Sequence, residues 1–104
     1  MTKMTENNQE VLHRVDALRK AASIIAGERD VHYGSQEDNF ERIAKVWSVI
    51  LGINISREDV AMCMVGLKLA RYVNKSGFHP DTWIDIAGYA GCGYEVGIKE
   101  STQE

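Results

Sequence analysis

Asp81 and Asp85 stand one helical turn apart, so both carboxylates fall on one face together with Gly88, Cys92 and Glu95. Two acids at this spacing offer hard oxygen donors to a cation such as Mg²⁺, which takes few protein carboxylates and completes its shell with water and phosphate oxygens. Asp81 has a second use, because an acid in the first turn of a helix complements the helix dipole. Asp85 lies among Ile84, Ile86 and Ala87, where a charge calls for a partner. A second acidic group, Glu37, Asp38 and Glu41, opens an earlier helix, and either Glu37 with Glu41 or Asp38 with Glu41, facing Asp81 and Asp85, would complete a four-carboxylate metal site. Standing alone, the earlier group reads as a solvated helix start. The cations are Lys68 and Arg71, three residues apart. Lys68 interrupts an apolar run and needs an acid or a phosphate as partner, while the Arg71 fork matches phosphate bidentately or closes an ion pair within the bundle. Tyr33, beside Gly34, either stacks on a base or caps a core edge.

Four helices must position these groups, and no segment alternates as a strand would. Val11, Val15, Leu18, Ala22 and Ile25 recur at helical spacing and predict a first helix over about 9–26, stopped by Gly27. Ser35 caps a second helix whose buried stripe is Phe40, Ile43, Ala44, Trp47, Ile50 and Leu51, ended by Gly52. Ser56 caps a third, over about 57–75, with Glu58 and Asp59 in its first turn. Between Val60 and Ala70 only Gly66 and Lys68 interrupt the apolar residues, the composition of a central helix covered on several sides. Pro80 suits the first turn of a fourth helix running to about Val96. That helix carries Ala87, Gly88, Ala90, Gly91 and Gly93, and glycine costs up to ~1 kcal/mol of helix propensity relative to alanine. Close packing of helices or subunits accounts for them, and the alternative is a ligand lying over Gly88. Trp47 and Trp83 read as core.

The chain has 104 residues, 44% hydrophobic and 26% charged, which predicts one helical domain over 1–104 with frayed tails at 1–7 and 99–104. Its net charge of −3 argues against an extended nucleic-acid surface. The polar start lacks an apolar signal region, and the longest apolar run falls far below the ~20 residues that span a bilayer. Cys63 and Cys92 sit in apolar helical segments without metal spacing, as in a reducing cytoplasm. No P-loop, dinucleotide fingerprint, nucleophile elbow or zinc-protease pattern occurs.

Read in order, RDVHYGS, NFERIAKVW, GLKLAR and HPDTWIDIAGYA resemble a family of small proteins of tailed phages and prophages, over about residues 20–96. More distantly the order is similar to all-α MazG-like nucleotide pyrophosphohydrolases and to phage nucleotide-modification-associated domains. The resemblance implies a helical bundle, commonly oligomeric, in which an ExxE helix and an ExxD helix hold Mg²⁺ against a nucleoside triphosphate. Asp38 and Glu41 then stand for the first pair and Asp85 for the last aspartate of the second. Position 82 is Thr82, so Asp81 takes the place of the missing acid, and a helix carrying Lys68 and Arg71 separates the two groups.

Three readings follow for an all-α, four-helix, MazG-like homo-oligomer in the host cytoplasm. The first is Mg²⁺-dependent hydrolysis of a nucleotide phosphoanhydride. Glu41 and Asp85 would be catalytic, Glu37, Asp38, Glu41, Asp81 and Asp85 would supply metal ligands, and Tyr33, Lys68 and Arg71 would bind the nucleotide. The second is binding of a nucleotide or other phosphorylated small molecule without turnover, as in a phage sponge that sequesters a host signalling nucleotide against defence. The third is a helical interaction module whose charges merely pair.

Overall fold

The computed structural model of the chain describes residues 12–28 and 36–102. Ser35 and Tyr33 lie outside these residues, as does the start of the first predicted helix. Every regular element among the described residues is helical. Helix α1 spans His13–Ser23 and widens into a π-type turn, Ile24–Glu28, inside which Gly27 takes φ 137° and breaks the helical path. Helix α2 spans Gln36–Leu51, α3 Arg57–Val73 and α4 Pro80–Thr102.

Local chemistry sets the ends. The Gly52 N–H donates to the Ser48 carbonyl at 2.9 Å, and Gly52 itself adopts φ 69°, a conformation that suits glycine. Ser48 then pins the connection to α3: its hydroxyl donates to the Ala44 carbonyl at 2.7 Å and accepts from the Ile55 N–H at 2.9 Å. Ser56 and Asp59 form a reciprocal capping box, each side chain accepting the other's backbone N–H at 3.0 and 2.9 Å. Pro80 occupies the first position of α4, as expected, and Gly77 with φ 80° turns the chain before it.

The hub is α4, which packs against α1, the π-type turn, α2 and α3, with α3 and α4 forming the most extensive contact. The core joins Phe40 and Ala44 from α2, Val60 and Ala61 from α3, and Cys92 from α4, with Ile25, Trp47, Met64 and Tyr89 packed around them. Glycine makes the approach to α4 possible. A Cβ on Gly93 would meet the Ala61 Cβ at 3.1 Å, and one on Gly88 would meet the Ile25 Cγ2 at 3.3 Å. The small residues of α4 therefore serve packing, and the space over Gly88 belongs to Ile25.

Three expectations about burial are corrected. Met62, Leu67, Leu69 and Val73 are exposed, so α3 is covered on one side in a single chain, and the central helix is α4. Ile50 and Leu51 are exposed as well: Ile50 shares the outer face of α2 with Val46 and Val49, and Leu51 sits where the chain turns away at Gly52. Trp83 is 52% exposed, because the first turn of α4 projects beyond the core. At the other end, α4 continues past Val96 to Thr102 instead of fraying from residue 99, tied to the start of α3 by Arg57 Nε and Glu100 Oε2 at 3.2 Å.

Gly93→Val should lower stability by about 1–3 kcal/mol, since its branched side chain is forced against a methyl group that cannot rotate away. Gly91→Ala meets only the Ile25 Cδ1, at 3.1 Å, the end of a side chain that can turn. It should hold or raise the thermal midpoint through its gain of up to ~1 kcal/mol in helix propensity. Circular dichroism melts of the two variants and the wild type check both.

Candidate functional site

Antiparallel packing of α3 and α4 brings the last turns of one against the first turns of the other. There Lys68 Nζ and Asp85 Oδ2 meet at 2.8 Å, with the two side chains 13% and 23% exposed. Lys68, which needs an acid or a phosphate as partner, and Asp85, which needs a partner of its own, thus satisfy each other. Apolar neighbours on both helices exclude most of the water that would otherwise weaken the attraction. Asp85 also borders a recess of about 20 Å³ among Ala21, Ile25 and Gly88, far too small for a nucleotide.

Beyond the ion pair the hairpin opens into solvent. Arg71 is exposed, three residues past Lys68. Tyr72 and Trp83 meet edge to face across the two helices, with ring centroids 5.9 Å apart and planes at 80°. Lys75 Nζ lies 4.9 Å from the Tyr72 ring centroid. Tyr72, Lys75 and Trp83 were not singled out for binding from the sequence. The signal lay in the topology: folding α4 back on α3 with Lys68 opposite Asp85 places Tyr72, one turn further along, opposite the first turn of α4.

The acids of α2 are elsewhere. Glu41 is exposed and pairs with Lys45 at 3.2 Å, Asp38 is exposed, and Glu37 stands in the first turn of the same helix. Asp81 is exposed in the first turn of α4, where it suits the dipole. Among the described residues no three His, Cys, Asp or Glu side chains come together as a metal-binding group. The residues of one chain described here thus do not assemble the four-carboxylate Mg²⁺ site, while they do bring Lys68 and Asp85 together with Arg71 nearby.

Along the other flank of the α3–α4 contact runs an apolar groove of about 670 Å³, lined by Met62, Val65, Tyr89, Gly93, Tyr94 and Ile98 among others. No described helix is long and apolar enough to cross a membrane.

Fold and site together define a small all-α protein with one half-buried ion pair at the open end of a helical hairpin. The chain belongs to the family described as "Domain of unknown function (DUF6378)", which matches residues 16–97. It is similar to the "Gene 55 protein" of Mycobacterium phage L5, with 47% identity over 75 residues that cover 71% of this chain and 47% of that protein. The "Gene 55 protein" of Mycobacterium phage D29 is 45% identical over 75 residues, 72% of this chain and 49% of its own length. The chain spans about half the length of these curated relatives, and the family they represent is a small phage family of unknown function. No solved structure matches the chain.

Asp85→Asn leaves the Lys68 ammonium facing a neutral amide in a mostly dry position, and should cost about 1–3 kcal/mol, between the values of exposed and fully buried pairs. Lys68→Met combined with Asp85→Leu should cost less than either single change, because no charge is then left without its partner. Urea unfolding of Asp85→Asn measures its cost, and that of Lys68→Met, Asp85→Leu and the two combined, read as a double-mutant cycle, measures the difference.

Proposed function

We propose that this protein binds a nucleotide or another phosphorylated small molecule, without needing to turn it over, and that it does so as a homo-oligomer in the cytoplasm of a phage host. The observation that carries the reading is the Lys68–Asp85 pair beside an exposed Arg71. The pair holds the α3–α4 hairpin in register, and Arg71 offers a fork that matches phosphate oxygens at its open end. A phage protein of this kind suits sequestration of a host nucleotide, the sponge role.

Mg²⁺-dependent hydrolysis, the activity implied by the MazG-like resemblance, is the second reading. Asp85 and Glu41 are held by Lys68 and Lys45, so a metal site would draw further carboxylates from Glu37 or from a second copy of the chain. The oligomer rests on a separate observation. Val46, Val49 and Ile50 recur at helical spacing on the face of α2 turned away from Phe40 and Ala44, with Val49 83% and Ile50 71% exposed. A second copy offering the same stripe would cover it through a two-fold interface.

Calorimetry with nucleoside mono-, di- and triphosphates, with and without Mg²⁺, tests binding, and chromatography of the same mixtures tests turnover. Binding with unchanged ligand recovered is the expected result, with Arg71→Ala weakening it about tenfold, the loss of one charge-assisted contact. Mg²⁺-dependent loss of ligand that Asp85→Asn abolishes would establish the hydrolase instead, and no binding by any of the probes would leave the interaction module.

Light scattering should give the wild type a mass above that of the 11.6 kDa chain, and Val49→Glu with Ile50→Glu should return it to that value while the helices persist. A wild type at 11.6 kDa at high micromolar concentration would contradict the oligomer.

A further inference from the structure

The rings at the turn between α3 and α4 have no packing role that explains their exposure. Trp83 is 52% and Tyr72 42% exposed, although an indole and a phenol are among the side chains with most to gain from burial. Their edge-to-face contact sets the rings at 80° to each other while both side chains stay exposed. Lys75 is held at the same place: its ammonium covers the Tyr72 ring at 4.9 Å and donates to the Gly77 carbonyl at 3.1 Å. A lysine has three N–H donors, so this bond orients Lys75 without exhausting it. Arg71 precedes Tyr72, and Lys68 stands one turn, about 5.4 Å along the axis, before it.

An exposed indole with cations within a turn on either side of its partner ring is matched to a ligand that is flat and aromatic at one end and anionic at the other. We propose that the Tyr72–Trp83 pair receives the base of a nucleotide whose phosphates meet Arg71 and Lys75. The proposal rests on the nucleotide-binding reading and narrows it to ligands that carry a base, so that phosphosugars and bare polyphosphates are poor substitutes. It also favours a mononucleotide over a strand. One ring pair provides one stacking position, and a net charge of −3 gives no basic track for a continuing backbone.

ATP, tripolyphosphate and ribose 5-phosphate, titrated calorimetrically into the full chain, test this. ATP should bind about tenfold or more tightly than either base-free probe, in line with the contribution of one stacked base. Trp83→Ala should remove that advantage, and Trp83→Phe should keep most of it. Trp83→Ala binding ATP as the wild type does would overturn the base site and leave the nucleotide-binding reading intact. Failure of the wild type to bind any of the three probes would overturn both. Loss of ATP binding in Trp83→Ala together with a fall in mass by light scattering would assign Trp83 to a subunit contact and overturn the base site.

Discussion

The approach of α4 to its neighbours is the constraint on which the rest of the structure depends. Gly93 lets the Ala61 methyl group come within 3.1 Å of where a Cβ would stand, and Gly88 and Gly91 admit Ile25 on another side. Glycine within a helix gives up propensity at each of these positions, and the return is close contact with α3 at Gly93 and with Ile25 of the π-type turn at Gly88 and Gly91. That contact aligns the hairpin. Once Ala61 is seated over Gly93, the antiparallel run of the two helices carries Lys68 to Asp85 and Tyr72 to Trp83. A wider separation would leave the lysine and the carboxylate reaching through water, where their attraction falls several-fold.

The ion pair in turn divides the hairpin into two regimes. On its closed side lie Phe40, Ala44, Val60, Ala61 and Cys92, which fill the core. On its open side the residues from Arg71 to Asp81 are exposed, and their backbone runs through a turn held by local bonds such as His79 Nε2 to the Ser76 carbonyl at 2.8 Å. Lys68 and Asp85 thus stand at the last point where apolar packing still shields a charge. A polar pair at such a boundary specifies register at small cost, because each partner would lose the other if the helices slid by a turn.

Much of this was legible in the sequence, and the limits have physical causes. The element order, the Ser56 cap, the Pro80 start and the Lys68–Asp85 pairing all follow from local rules: spacing, capping chemistry, and the cost of an unpartnered charge among apolar residues. Burial was less legible. A nearly all-apolar α3 reads as buried on all sides, yet hydrophobicity reports that a face wants cover without saying whether the same chain supplies it. Met62, Leu69 and Val73 are exposed among the described residues. Trp83 departed in the same direction, since its spacing fits a core position but its place in the first turn of α4 lies beyond the end of the core. Asp38 and Glu41 sit on the exposed side of α2, a matter of helix rotation that spacing within one helix cannot fix.

The two kinds of exposed surface differ in what they require. The outer stripe of α2, from Val46 to Ile50, is aliphatic, continuous and free of directional groups, so it gains from any broad apolar cover and selects for shape alone. The hairpin end is the reverse, with two fixed rings, an oriented ammonium and a guanidinium within a few residues, and it gains only from a partner that matches both ring and charge. The stripe lies on α2 and the rings lie on α3 and α4, so substitutions in one leave the side chains of the other in place. The two surfaces are therefore physically separable in this fold, and a chain that lost its outer stripe would still carry the hairpin end, held in register by Gly93, Ala61 and the Lys68–Asp85 pair.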